Sequence, residues 1–216
     1  ITQCPDASVI GKTVEQVARE RGLHSTDLFL DLVVEYGTSF RWRTVITNDR
    51  PEIADWLINQ NGVTIGFSDA GAHLRNMAFY NYGIRLLKRA KEAEHGSRTP
   101  FLTIEETVYK LTGELGEFYG LDAGYLRQGD RADLVVIDPA GLTEATEEYA
   151  EASMTEFGGI MRMVNRNDDA VSATVVGGQY LYGRGEFTPG FGTTVRGGRF
   201  LRAGPHRGAV PERSSA

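Results

Sequence analysis

Apolar residues recur mainly at helical spacing, with short extended stretches between, through the first 120 positions and mostly at strand spacing, broken by glycine turns, after that. Thr13 and Gln16 have capping-box spacing, Val14, Val17 and Ala18 share a face, and Gly22 is a stop, so a short helix is predicted over 13–21. Ser25-Thr26-Asp27 caps a second helix that carries Leu28, Leu32 and Val33 and ends at Gly37, with His24 as a surface or capping residue at its start. Pro51 opens a third, with Ile53, Trp56 and Leu57 as its apolar stripe; residues 42–46 form an extended candidate between them. A fourth helix is predicted over 75–94, where Ala78, Tyr82, Leu86 and Ala90 recur every four residues before His95-Gly96. Thr103 and Glu106 make another capping box, with Ile104, Val108 and Leu111 on one face, continued by Leu115, Phe118 and Tyr119 to Gly120. Tyr80, Tyr82 and Phe79 read as core.

From Asp122 onward β-branched residues and turns dominate. Leu134-Val135-Val136-Ile137 reads as a buried strand closed by Asp138-Pro139. Residues 173–176 and 179–182 flank Gly177-Gly178, a strong hairpin signal, and 193–201 are a further strand candidate. The run Glu144, Glu147, Glu148 and Glu151 reads as a solvated helix face. Asp133 and Asp138 read as turn and cap residues. The expected fold class is α/β.

The 216 residues carry a formal charge of −6, with 41% hydrophobic and 24% charged residues. That is an ordinary globular composition, and its mild acidity argues against nucleic-acid binding. No apolar run is long enough to span a membrane. The single cysteine, Cys4, excludes an internal disulfide, reads as a thiol near a chain end and suits a cytoplasmic location. The chain opens at Ile1 rather than Met, as a piece of a longer protein would.

The stretch that promises chemistry is Val63-Thr64-Ile65-Gly66-Phe67-Ser68-Asp69-Ala70-Gly71-Ala72-His73. It reads as a short buried strand running into Ser68, Asp69 and a small-residue turn. Polar side chains at the carboxyl end of a buried strand lie where α/β proteins bind ligands. A carboxylate there needs a metal, a proton or a hydrogen-bonding partner. Asp69 is either such a group or an Asx-turn or N-cap residue. His73 either meets substrate and orients Asp69, or is a helix-start histidine satisfied by backbone. Ser68 either lines the pocket or bonds the turn, and Arg75 either meets a substrate carboxylate or is solvated.

Residues 66–73 resemble the last barrel strand of the amidohydrolase superfamily, most nearly the branch of the N-acyl-D-amino-acid deacylases (D-aminoacylases). Further segments follow in the same order. Leu111-Thr112 with Tyr119-Gly120-Leu121-Asp122-Ala123-Gly124-Tyr125-Leu126 is similar to an "LT…GL-DRG-L" segment, with Ala123 where arginine is common. Gln128-Gly129-Asp130-Arg131-Ala132-Asp133-Leu134-Val135-Val136-Ile137-Asp138-Pro139 is similar to a "GxxADLVVxDP" signature. Ala173-Thr174-Val175-Val176-Gly177-Gly178, then Pro189-Gly190 and Gly198-Arg199-Phe200-Leu201-Arg202, resemble the C-terminal β domain and tail.

The resemblance implies zinc-dependent hydrolysis of the amide bond of a small N-acyl-amino-acid substrate, with Asp69 as weak metal ligand and general base, and Ser68 and His73 near substrate. It implies a (β/α)8 barrel, which needs about 250 residues. The superfamily's early His-x-His pair is absent here; only His24, His73, His95 and His206 occur. The expectation is therefore a C-terminal portion, inactive alone. Residues 1–122 would supply the last strands and helices of an incomplete barrel, 123–204 a small β domain and 205–216 a disordered tail. The expected partner is the N-terminal part of the same protein, and the uncovered edges predict self-association. Two other readings stand beside this one: a cyclic-amide hydrolase of the hydantoinase or dihydropyrimidinase kind, and a non-catalytic scaffold on the same fold.

Overall fold

The computed structural model describes residues 1–45, 49–66, 68, 73, 79–96, 101–148, 150–154, 158–165 and 167–204. It mixes helices and strands, and the chain divides into two compact units, residues 1–54 and 55–216.

In the first unit, α1 (Val14–Arg21) starts at Thr13, whose side chain accepts from the Gln16 amide while the Gln16 side chain accepts from the Thr13 amide. The helix α2 (Ser25–Tyr36) is capped one residue earlier than its serine suggests. His24 is the cap, its Nδ1 accepting from the Thr26 amide at 3.3 Å. The two helices bury Val17, Ala18, Leu28 and Leu32 against Val9 and Phe40. Cys4, expected near a loose end, is buried in that cluster. Its neighbourhood is fixed by backbone pairing of Thr2 and Gln3 with Arg41 at 2.8–3.2 Å. Phe29, Phe40 and Trp42 form a ring cluster with centroids 4.9–6.0 Å apart. The extended candidate at 42–46 is not a strand at 42–45, and Ile46 lies outside the described residues.

Helix α3 (Pro51–Ile58) carries the boundary between the units; its stripe of Ile53, Trp56 and Leu57 is exposed. In the second unit, α4 (Tyr82–Glu94) buries Leu86, Ala90 and Ala93 and stops at His95-Gly96; residues 75–78 lie outside the described set. Next, α5 (Ile104–Leu111) begins with the predicted Thr103–Glu106 capping box. Its buried face differs from the expected one. Thr107 and Lys110 are buried, whereas Val108 is exposed. The following α6 (Gly113–Tyr119) buries Gly113 and Gly116 and exposes Phe118 and Tyr119. Gly116 lets the helix lie against the Ala123 backbone, and Gly113 lies against the rings of Tyr109 and Tyr125.

The strands are antiparallel. One sheet has the order β1 (Leu134–Ile137), β4 (Val171–Val176), β5 (Gln179–Gly183), β6 (Glu186–Phe187); the other pairs β2 (Ala150–Met154) with β3 (Ile160–Val164). Gly177 and Gly178 join β4 to β5 with φ of 59° and 79°, the two positive values that a tight primed hairpin turn requires. Asp133 and Asp138 serve backbone as expected: they accept from the Gly177 amide at 2.6 Å and the Ala140 amide at 2.8 Å. Strand β1 is not buried. It lies at a sheet edge with Val135 and Val136 half exposed, so its apolar run reflects strand propensity rather than core position. Residues 193–201 add no strand, contributing only a single bridge between Phe191 and Val195. The tail over 205–216 lies outside the described residues, and among those described no helix is long and apolar enough to cross a membrane.

Candidate functional site

Residues 63–66 are half-buried but irregular, and the expected strand is absent there; Phe67 lies outside the described residues. A strand exists only with a ladder partner, and no described strand pairs with this segment. Its terminal carbonyls are taken by side chains instead. The Lys110 Nζ donates to the Val63 carbonyl at 3.1 Å, and the Tyr82 hydroxyl donates to the Gly66 carbonyl at 2.7 Å. Lys110 comes from α5 and Tyr82 from the first position of α4. Neither was predicted at the site. The only signal in the sequence is a lysine on the apolar side of α5.

Asp69 and Arg75 lie outside the described residues. Ser68 is half-buried and engaged by a neighbour. His73 is exposed, and among the described residues nothing is hydrogen-bonded to its ring. The remaining histidines are accounted for. His24 caps α2, the His95 Nδ1 lies 2.7 Å from the Lys91 carbonyl at the end of α4, and His206 is outside the described set. Among the described residues no three His, Cys, Asp or Glu side chains converge as a metal site would need. Zinc takes three or four such donors, so the described residues do not fit a zinc centre.

Two buried polar clusters anchor the helix that carries Tyr82. Lys88 on α4 is 3% exposed and is ion-paired to Glu92 at 2.9 Å, Glu144 at 2.7 Å and Glu147 at 3.0 Å. Half of the acidic run read as a solvated face thus forms the counter-charge of a buried lysine. Burial alone would lower the Lys88 pKa, but the three carboxylates outweigh it and raise it above its ordinary value. Glu147 is held below the usual carboxylate range: burial opposes this, and the bond and charge of Lys88 overcome it.

The second cluster lies just before α4. The buried Asn81 amide donates to the Thr146 carbonyl and Asn165 Oδ1, both at 2.8 Å, and to Asn167 Oδ1 at 3.1 Å. Asn165 in turn donates its side-chain amide to the carbonyls of Thr146 and Glu148 and its backbone N–H to the Tyr80 hydroxyl oxygen. Tyr80 and Tyr82 therefore act through their hydroxyls rather than as core rings. Further along, Tyr125 is bonded to Glu117, which also accepts from Tyr109 at 2.9 Å. The carboxylate bond, reinforced by burial, pushes the Tyr125 pKa up to about 12.

Comparison with known proteins adds a second line. No family model matches the chain, and no solved structure matches it. Uncharacterized proteins of Mycobacterium tuberculosis and Mycobacterium bovis are each 52% identical to it over 220 residues, which cover 100% of the chain and 36% of their length. A dihydroorotase of Clostridium acetobutylicum is 40% identical over 62 residues, 28% of the chain and 15% of the enzyme. An N-acyl-D-aspartate deacylase of Alcaligenes xylosoxydans xylosoxydans is 39% identical over 56 residues, 26% of the chain and 11% of the enzyme. The chain thus spans about a third of the length of its mycobacterial relatives, and a quarter of it carries a local likeness to enzymes of the amidohydrolase superfamily.

Proposed function

We propose that these residues are the C-terminal segment of a zinc-dependent amidohydrolase that cleaves the amide bond of N-acyl-D-amino acids. The observation that carries the reading is the local identity to an N-acyl-D-aspartate deacylase in a chain whose motifs follow that branch in order. Residues 1–122 would then be the last strands and helices of a barrel, and 123–204 a small β domain. Asp69 would be one weak zinc ligand, and, as the 216 residues hold no His-x-His pair, the other donors would lie in further polypeptide of the longer protein.

In this reading Asp69 accepts a proton from the attacking water and returns it to the leaving nitrogen, so that water and amide become carboxylic acid and amine. Ser68 and His73, one and four positions from Asp69 in the sequence, would contact the substrate. The local identity to a dihydroorotase favours a second reading, ring opening of a cyclic amide. A panel of N-acyl-D-amino acids, their L-enantiomers and cyclic ureides, offered to the longer protein, separates the two. Release of free D-amino acid supports the first reading. Turnover of the cyclic compounds alone supports the second, and hydrolysis by the 216 residues by themselves contradicts the segment reading.

A further inference from the structure

We propose that the outward face of α2 is an interface for the polypeptide that precedes Ile1 in the longer protein, and that a basic amphipathic segment of that polypeptide covers it; the presence of such polypeptide rests on the reading given under Proposed function. Apart from Asp31 and Glu35, every residue of α2 from Leu28 to Tyr36 is aliphatic or aromatic. Leu28 and Leu32 are buried in the core of the first unit, and Phe29 and Val33 pack at its border. Leu30 and Val34, one turn apart, are instead 52% and 85% exposed. A helix that is apolar round most of its circumference belongs between two packed layers, and the core of the first unit supplies one of them.

The polar rim sets the charge of the other layer. Asp27, Asp31 and Glu35 recur every four residues and form an exposed row beside Leu30 and Val34. Among the described residues neither Asp27 nor Asp31 has an ion-pair partner, while Glu35 accepts from Tyr36. A second copy does not answer this row. A twofold contact sets α2 against α2, which brings its own acids and neither Lys nor Arg. A segment with apolar residues flanked by Lys or Arg matches both the stripe and the row.

A cleft beside α2 shows where such a segment departs. Its volume is about 680 Å³, and Ile1, Thr13, Thr26, Phe29, Trp42 and Arg43 are among the residues that line it. Trp42 is 47% exposed and meets Phe29 edge-on at 4.9 Å. The Ile1 nitrogen donates to the Lys12 carbonyl at 2.7 Å, a bond that an amide N–H makes equally well when a residue precedes it. Polypeptide before Ile1 therefore starts at the rim of this cleft. The chain covers only 36% of the length of its mycobacterial relatives, which leaves ample polypeptide to fold back over α2.

The test uses the longer protein with a photoreactive phenylalanine analogue in place of Leu30 or of Val34, and maps cross-linked peptides by mass spectrometry. Beside it, Val34→Cys and Glu15→Cys are labelled with a maleimide; Glu15, on α1, is 73% exposed and serves as the open control. The expected result is a cross-link within one chain to a peptide that precedes Ile1 and carries Lys or Arg, with Val34→Cys protected while Glu15→Cys reacts. A cross-link between two chains overturns the proposal in favour of a second copy. A cross-link to residues 55–216 overturns it as well, as does labelling of Val34→Cys as fast as that of Glu15→Cys. Neither readout depends on turnover. A longer protein that cross-links as expected but hydrolyses no N-acyl-D-amino acid sinks the functional reading and leaves this interface standing.

Discussion

Replacing Lys88 by methionine removes the charge at the centre of three carboxylates while keeping most of the side-chain volume. Taking one partner from a buried ion pair costs about 3–5 kcal/mol, because the remaining charge is left without compensation. Here the carboxylates differ in their access to water. Glu144 is 83% exposed and rehydrates freely, Glu147 is 38% exposed and keeps Arg85 at 3.3 Å, and Glu92 is only 22% exposed. The penalty therefore falls mainly on Glu92, and the loss is set at the low end, about 3 kcal/mol. For a protein of this size that is a fall in midpoint of roughly 6–12 °C.

The pH dependence gives a sharper sign. Lys88 has a raised folded pKa, so its contribution is complete below the ordinary lysine value and is lost only as pH rises through the folded one. Glu147 has a lowered folded pKa, so in the parent its contribution is complete above the ordinary carboxylate value and is lost as pH falls through the folded one. Without Lys88, burial and Glu92 raise the Glu147 pKa against Arg85 alone, and acid relieves the repulsion between Glu147 and Glu92. Urea denaturation followed by circular dichroism should show a deficit at pH 7 that shrinks toward pH 4. Equal stability at pH 7, or a deficit that widens on acidification, would refute the argument.

Two other substitutions test local features. Thr103→Ala removes the side chain that accepts from the Glu106 amide at 3.1 Å and should cost about 1 kcal/mol, with hydrogen exchange accelerated in the first turn of α5. Gly116→Ala would ordinarily strengthen a helix by nearly 1 kcal/mol, but its methyl would sit 2.3 Å from the Ala123 carbonyl oxygen; a net loss of about 1–3 kcal/mol in urea denaturation is expected instead.

Features written in adjacent residues were legible in the sequence. Both capping boxes, at Thr13 and Thr103, and the Gly177-Gly178 hairpin depend on residues within four positions of each other, and all three form. Features that depend on distant partners were not. The apolar run at 134–137 looks buried, but a sheet-edge position leaves two valines half exposed. The face of α5 was misassigned because the helix buries Lys110, whose acceptor lies 47 positions away. The acids at 144 and 147 look solvated until Lys88 is placed beside them, and β2 and β3 carry too mixed a pattern to announce themselves. At the candidate site the sequence names Ser68, Asp69 and His73, while the two side chains that hold residues 63–66 come from helices that begin at Tyr82 and Ile104.

The central claim is that one carboxylate, Asp69, carries proton transfer in amide hydrolysis. Turnover of an N-acyl-D-amino acid by the longer protein, parent against Asp69→Asn, addresses it most directly. The asparagine keeps the size of the side chain and removes its basicity, so kcat should fall by at least about 100-fold while the thermal midpoint holds. Undiminished turnover by the asparagine variant would contradict the account.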